Sequence, residues 1–212
     1  MSRFSFFCCF TIYTAISGII FLFKVTNGHN WFDQWIYDRF FVFQFISVVT
    51  IGLNFEASNL NDFSYVRLDN RRKILARELL GYYIQGFICL SVMFIFIIFG
   101  ALLLVENNFI MKLADWYFRY LLGIVLFINV ISCLKWSNKM TLRKYCFLIV
   151  FMWMALELIV LRSYIRKFFG LDINLLFSWV FQKGIESYFW MLGMVLISII
   201  LNIMISDKKD FI

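Results

Sequence analysis

Three features of the sequence predict an all-α, polytopic integral membrane protein with about six transmembrane helices. Hydrophobic residues make up 63% of the 212 and charged residues only 16%, against about 45–50% and about 25% in soluble domains. Apolar runs near the ~20 residues that a helical span requires recur between short polar connectors. Proline is absent, so the helices should lack proline kinks, and any break is expected at Gly or polar side chains. Six spans consume about 120 residues, which implies a single transmembrane domain over 1–212 and leaves no room for a large soluble catalytic domain.

The first run, Phe4 to Phe23, follows Arg3 and ends at Phe-Lys. It is longer than the ~7–15 apolar residues of a secretory signal, so an uncleaved span is expected. Lys24 to Arg39 mixes turn formers with Trp31, Trp35 and Tyr37, aromatics suited to the membrane–water boundary. A short second span follows, Phe40 to Phe55. The polar stretch Glu56 to Glu78 holds Arg67, Arg71, Arg72, Lys73 and Arg77, while Ile74, Leu75 and Leu79 gather on one helical face. That pattern predicts a basic, amphipathic surface helix between spans two and three.

Leu79 to Val105 forms the third expected span. The connector ENNFIMKLAD leads into a fourth, Tyr117 to Trp136, and KWSNKMTLRK into a fifth, Tyr145 to Leu161. Arg162 to Ser187 contains FFGLDINLLFSWVFQKG, apolar enough to touch lipid but too short to cross, so a hydrophobic interfacial segment is expected there. The last span is Tyr188 to Ser206, followed by DKKDFI.

Basic residues set the orientation. With both termini cytoplasmic, twelve Lys and Arg fall inside and eight outside, the direction that the positive-inside bias favours. A net charge of +7 carried in such short clusters suits anionic lipid head groups better than nucleic acid. Heavy use of Phe, Ile, Asn and Lys hints at a bacterial source, hence the inner membrane.

The sequence has no GxxxxGK[ST], HExxH or GxSxG, so the common nucleotide, metalloprotease and serine-hydrolase signatures are missing. An enzyme is not expected, nor a cofactor in this chain. His29 is the only histidine, and Cys8, Cys9, Cys89, Cys133 and Cys146 form no CxxC pair; the cysteines read as small apolar packing residues. Glu157 is the clearest charge within a span. Such a group is costly there and either faces the bundle interior, with Arg119 a candidate partner, or lines a transport path. Asn54, Gln85, Asn129 and Asn202 are weaker markers of the same kind, explained more plainly by hydrogen bonds between helices. The basic cluster is read either as an orientation and lipid-binding signal or as a lever that a cytoplasmic partner pushes.

The run SYVRLDNRRKILARELLGYYIQG, with Arg67 followed by Arg71, Arg72 and Lys73 and then a helix into the third span, resembles membrane subunits of ABC-2-type exporters. The layout of about six spans, both ends inside, with a surface segment before the last, resembles them too. The resemblance implies that Arg67, Arg71, Arg72, Lys73 and Arg77 couple to a separate cytoplasmic ATPase. It also implies a second permease chain, as homodimer or heterodimer. Small permeases of this kind accompany bacteriocin and antimicrobial-peptide systems, which suggests a peptide or lipid-like amphipathic cargo. The rival expectations are a non-transporting immunity, sensor or assembly protein, and an intramembrane enzyme built around Glu157.

Overall fold

The computed structural model describes residues 71–104, 109–137, 140–157, 167–168 and 184–208. The first two expected spans, Asn54, Arg67 and most of the 162–187 segment lie outside these residues. The described part is all-helical: α1 (Arg71–Leu104), α2 (Phe109–Trp136), α3 (Met140–Ala155) and α4 (Ile185–Lys208).

At 1.5 Å per residue the 34 residues of α1 extend about 51 Å, well beyond the ~30 Å of a bilayer core. From Leu79 to Leu104 it carries no Asp, Glu, Lys or Arg. The basic residues from Arg71 to Arg77 are therefore the first turns of the same helix as the expected third span. They run into it without a break, as no Gly, Pro or turn former interrupts RRKILARELL; the rest of the expected surface helix, residues 56–70, lies outside the described residues.

Helix α2 starts eight residues before the expected fourth span. IMKLAD is built of good helix formers, and Asp115 braces Arg119 one turn on, Oδ2 to Nε 2.8 Å. After Trp136 the chain turns tightly, Ser137 N–H donating to the Leu134 carbonyl at 3.2 Å, and so short a connection makes α3 the antiparallel neighbour of α2. Helix α3 also starts early, at Met140, and breaks at Tyr145 (φ −108°, ψ 15°). The break falls at neither Gly nor a fully polar side chain. It marks the point where the basic connector ends and the apolar run begins.

Pairs of contacting residues give the packing. Glu78 meets Lys135, Tyr83 meets Asn129 and Ser91 meets Tyr117, so α1 and α2 run antiparallel. Arg119 meets Ser187, and Asn202 meets the carbonyl of Asn129, so α2 and α4 run parallel. Helix α2 sits at the centre, touching each of the others. Gly86 is what lets α1 and α2 approach: a Cβ there would lie 2.9 Å from Ile124 Cγ2, and small residues at crossings are how membrane helices gain close packing. Toward the far end Phe94 stands edge-on to Trp116, Tyr117 and Tyr120, with ring centroids 5.0–6.3 Å apart.

Among the described residues, two helices are long and apolar enough to cross a membrane, Ala114–Trp136 within α2 and Ile185–Lys208. Helix α4 is arranged inside out. Its buried stripe is Ser187, Met191, Val195, Ser198, Asn202 and Ser206, whereas Phe189, Trp190, Leu196, Ile197, Ile200 and Met204 are exposed. A helix in the core of a soluble protein buries its apolar side chains. This one turns most of them outward.

Candidate functional site

The polar stripe of α4, the facing side of α2 and the start of α1 make a seam of polar groups along the bundle, in three clusters. At the end where α1 begins, Glu78 is buried although it is a carboxylate. Its Oε2 accepts from Trp136 Nε1 at 3.0 Å, its Oε1 from Tyr82 Oη at 3.0 Å, and Lys135 Nζ forms an ion pair with it. A buried carboxylate persists only with such compensation. Beside it Arg72 and Asp207 form a two-pronged pair, 2.9 and 2.7 Å, tying the first turn of α1 to the last of α4. The hydrogen bonds to Asp207, and then its charge, raise the Arg72 pKa above its usual value. The pair is well exposed, so solvent screens it and its role is alignment more than stability.

The middle cluster is formed by Tyr83, Asn129, Ser132, Ser198 and Asn202. Tyr83 Oη donates to Asn129 Oδ1 at 2.5 Å. Asn202 Nδ2 donates to the Asn129 carbonyl at 2.9 Å and to the Ser198 carbonyl at 3.0 Å. Both Asn side chains are fully buried.

At the far end Arg119 is 2% exposed. Its guanidinium donates to Asp115 (2.8 Å), Ser187 Oγ (2.6 Å) and the Gly184 carbonyl (3.2 Å), and lies 4.5 Å from the centre of the Tyr188 ring. Tyr188 Oη in turn donates to Asp115 Oδ1 at 2.7 Å. Gly184 has φ +126°, a backbone state open chiefly to glycine, and this turn aims its carbonyl at both Arg119 and Ser187. Entry into α4 is thereby locked to α2.

Of the residues singled out in the sequence, Asn129 and Asn202 meet directly. Glu157 is buried, in the wider turn at 156–157 that follows α3, and accepts from Trp153 Nε1 at 3.2 Å. The carboxylate on Arg119 Nε is that of Asp115. Gln85 is half-buried on α1. Arg72, Lys73 and Arg77 are exposed.

Sequence reasoning missed Glu78, Lys135, Tyr83 and the serines of α4. The serines carried a signal: Ser187, Ser198, Asn202 and Ser206 recur at spacings of three to four or their multiples, a polar stripe inside an apolar helix. Among the described residues no group of His, Cys, Asp and Glu could hold a metal ion. No known protein family, curated protein or solved structure matches this chain.

Proposed function

We propose that the chain is the permease subunit of an ATP-driven exporter in a bacterial inner membrane, with both termini cytoplasmic, energised by a separate ATPase subunit and moving a peptide or lipid-like amphipathic cargo. The inside-out packing of α4 supports the membrane setting: exposed Phe, Trp, Leu and Ile need lipid, and the buried serines and asparagines need one another. The observation that carries the coupling role is the continuity of α1. Exposed Lys73 and Arg77 sit within the two turns that precede the charge-free stretch of the same helix, and Glu78 and Arg72 fasten that end to α2 and α4. A push at the basic end would move three helices together. The ATPase is assigned to a partner because this sequence carries no phosphate loop.

Arg119 and Glu78 are engaged with groups of the same chain, and the proposed cargo route runs between two copies of the chain, or between this chain and a second permease. The same closure is what favours a second reading, a non-transporting immunity, sensor or assembly protein whose basic end binds its partner. ATP hydrolysis by the detergent-purified complex separates the two. The permease reading expects an ATP-hydrolysing subunit to accompany the chain, and expects Lys73→Ala with Arg77→Ala to lower its turnover several-fold while the melting temperature stays within about 1 °C. A chain that purifies without such activity, and still protects cells, sinks the permease reading.

A further inference from the structure

We propose that the α1–α2–α4 junction holds an internal hydration site, in which buried water joins Asn129, Ser132 and Asn202. Three polar atoms there have no hydrogen-bond partner among the described residues: Asn129 Nδ2, Ser132 Oγ and Asn202 Oδ1. Their side chains are buried to 0%, 3% and 0% exposure. Leaving such groups buried and unsatisfied is costly, and three together would work against the packing that brings them there.

The three atoms share one neighbourhood. Asn129 and Ser132 are three apart on α2, hence on one face. The Asn202 amide is held to that face through its bond to the Asn129 carbonyl, 2.9 Å. All three lie within about one helical turn, roughly 10 Å in from the basic end of the bundle by residue count. Their chemistry selects the ligand. Tyr83 fixes the Asn129 amide by donating to Oδ1 at 2.5 Å, which leaves Nδ2 as a donor. Asn202 commits both Nδ2 hydrogens to the carbonyls of Asn129 and Ser198, which leaves Oδ1 as an acceptor. Ser132 contributes a hydroxyl that serves either way. A donor, an acceptor and a hydroxyl are what a water molecule completes, within the 2–4 bonds usual for buried water. A cation would meet the Asn129 N–H with like charge.

The site does not depend on the chain being a permease. It would lubricate the α2–α4 contact, since water can exchange partners where direct side-chain bonds would have to break.

Solid-state NMR on the full chain in lipid vesicles tests it, by following magnetisation transfer from water to side-chain amides labelled with nitrogen-15. Transfer to Asn129 Nδ2 at mixing times as short as those for surface amides is expected. A second measurement is the melting temperature of Ser132→Ala. Losing a water ligand should lower it by about 2–4 °C, the shift that ~1 kcal/mol gives in a chain of this size. A dry junction would instead be relieved of an unsatisfied hydroxyl, and the variant would melt higher. Absent transfer to Asn129 in the folded wild-type chain, a higher melting point for Ser132→Ala, or a melting point that shifts when sodium is replaced by choline, each overturns the proposal, the last in favour of a cation.

Discussion

Glu78 and Arg119 show how single charges are made tolerable inside an apolar bundle. Each is buried, and each is surrounded by groups drawn from two helices. Removing one partner of a buried ion pair strands the other charge, whereas removing both does not. Lys135→Met is therefore expected to destabilise the fold by up to about 3–5 kcal/mol, less because Lys135 is partly exposed. Adding Glu78→Leu should recover much of that loss, since no unpaired charge then stays buried. Chemical or thermal unfolding in detergent of the two single variants and the double variant measures this, and strictly additive losses would show that the pair is not coupled. Arg119 follows the same logic with a different distribution. Arg119→Leu should cost about 1–3 kcal/mol, through the bonds lost at Ser187 and the Gly184 carbonyl, and Asp115→Asn less, because Asp115 is more than one-third exposed and those two groups still hold the guanidinium.

For the helices, glycine gives the sharpest contrast. Gly81 and Gly86 lie on the same helix, yet a Cβ at Gly81 would meet nothing within 4 Å and one at Gly86 would press on Ile124. Gly81→Ala should therefore stabilise by up to about 1 kcal/mol through helix propensity alone. Gly86→Leu should destabilise by about 1–3 kcal/mol, because Ile124 is β-branched and cannot swing aside. Melting temperatures of the two variants should move in opposite directions. Nothing in the spacing of GYYIQG distinguishes these two positions, since the difference arises only from how α1 crosses α2. The same limit governs what was legible elsewhere. Apolar runs located α1, α2, α3 and α4, because burial in lipid writes itself as composition. The starts of α2 and α3 lie up to eight residues earlier than expected, since IMKLAD and KMTLRK form helix although their charges read as connector, whereas RRKILARE reads as helix already in the sequence. Asn129 and Asn202 stood out as lone amides within spans. Glu78 did not, because a carboxylate beside Arg77 at the end of a basic stretch looks solvated until Lys135 and Trp136 close over it.

The bundle as a whole has a sidedness that can be tested without knowing what the chain carries. Arg72 meets Asp207 and Glu78 meets Lys135, so the start of α1, the turn after α2 and the end of α4 share one end. Arg119, Ser187 and Gly184 mark the other. With α2 and α4 parallel and α1 antiparallel to both, each of these helices traverses the bundle, and a membrane around it would have those ends on opposite sides. The proposed orientation puts Lys73, Arg77 and Lys208, at the first end, on the cytoplasmic side, the direction of the positive-inside bias. Single cysteines at Lys73, Ser137 and Lys208, in a background with the native cysteines replaced, are therefore expected to react with a membrane-impermeant maleimide only after the cytoplasmic face is opened. A cysteine at Ile185, an exposed residue at the start of α4, should react in intact cells. If all four react alike, the described helices do not span the bilayer. Should the two groups exchange, the helices span it the other way up, and the basic end of α1 could not meet a cytoplasmic ATPase.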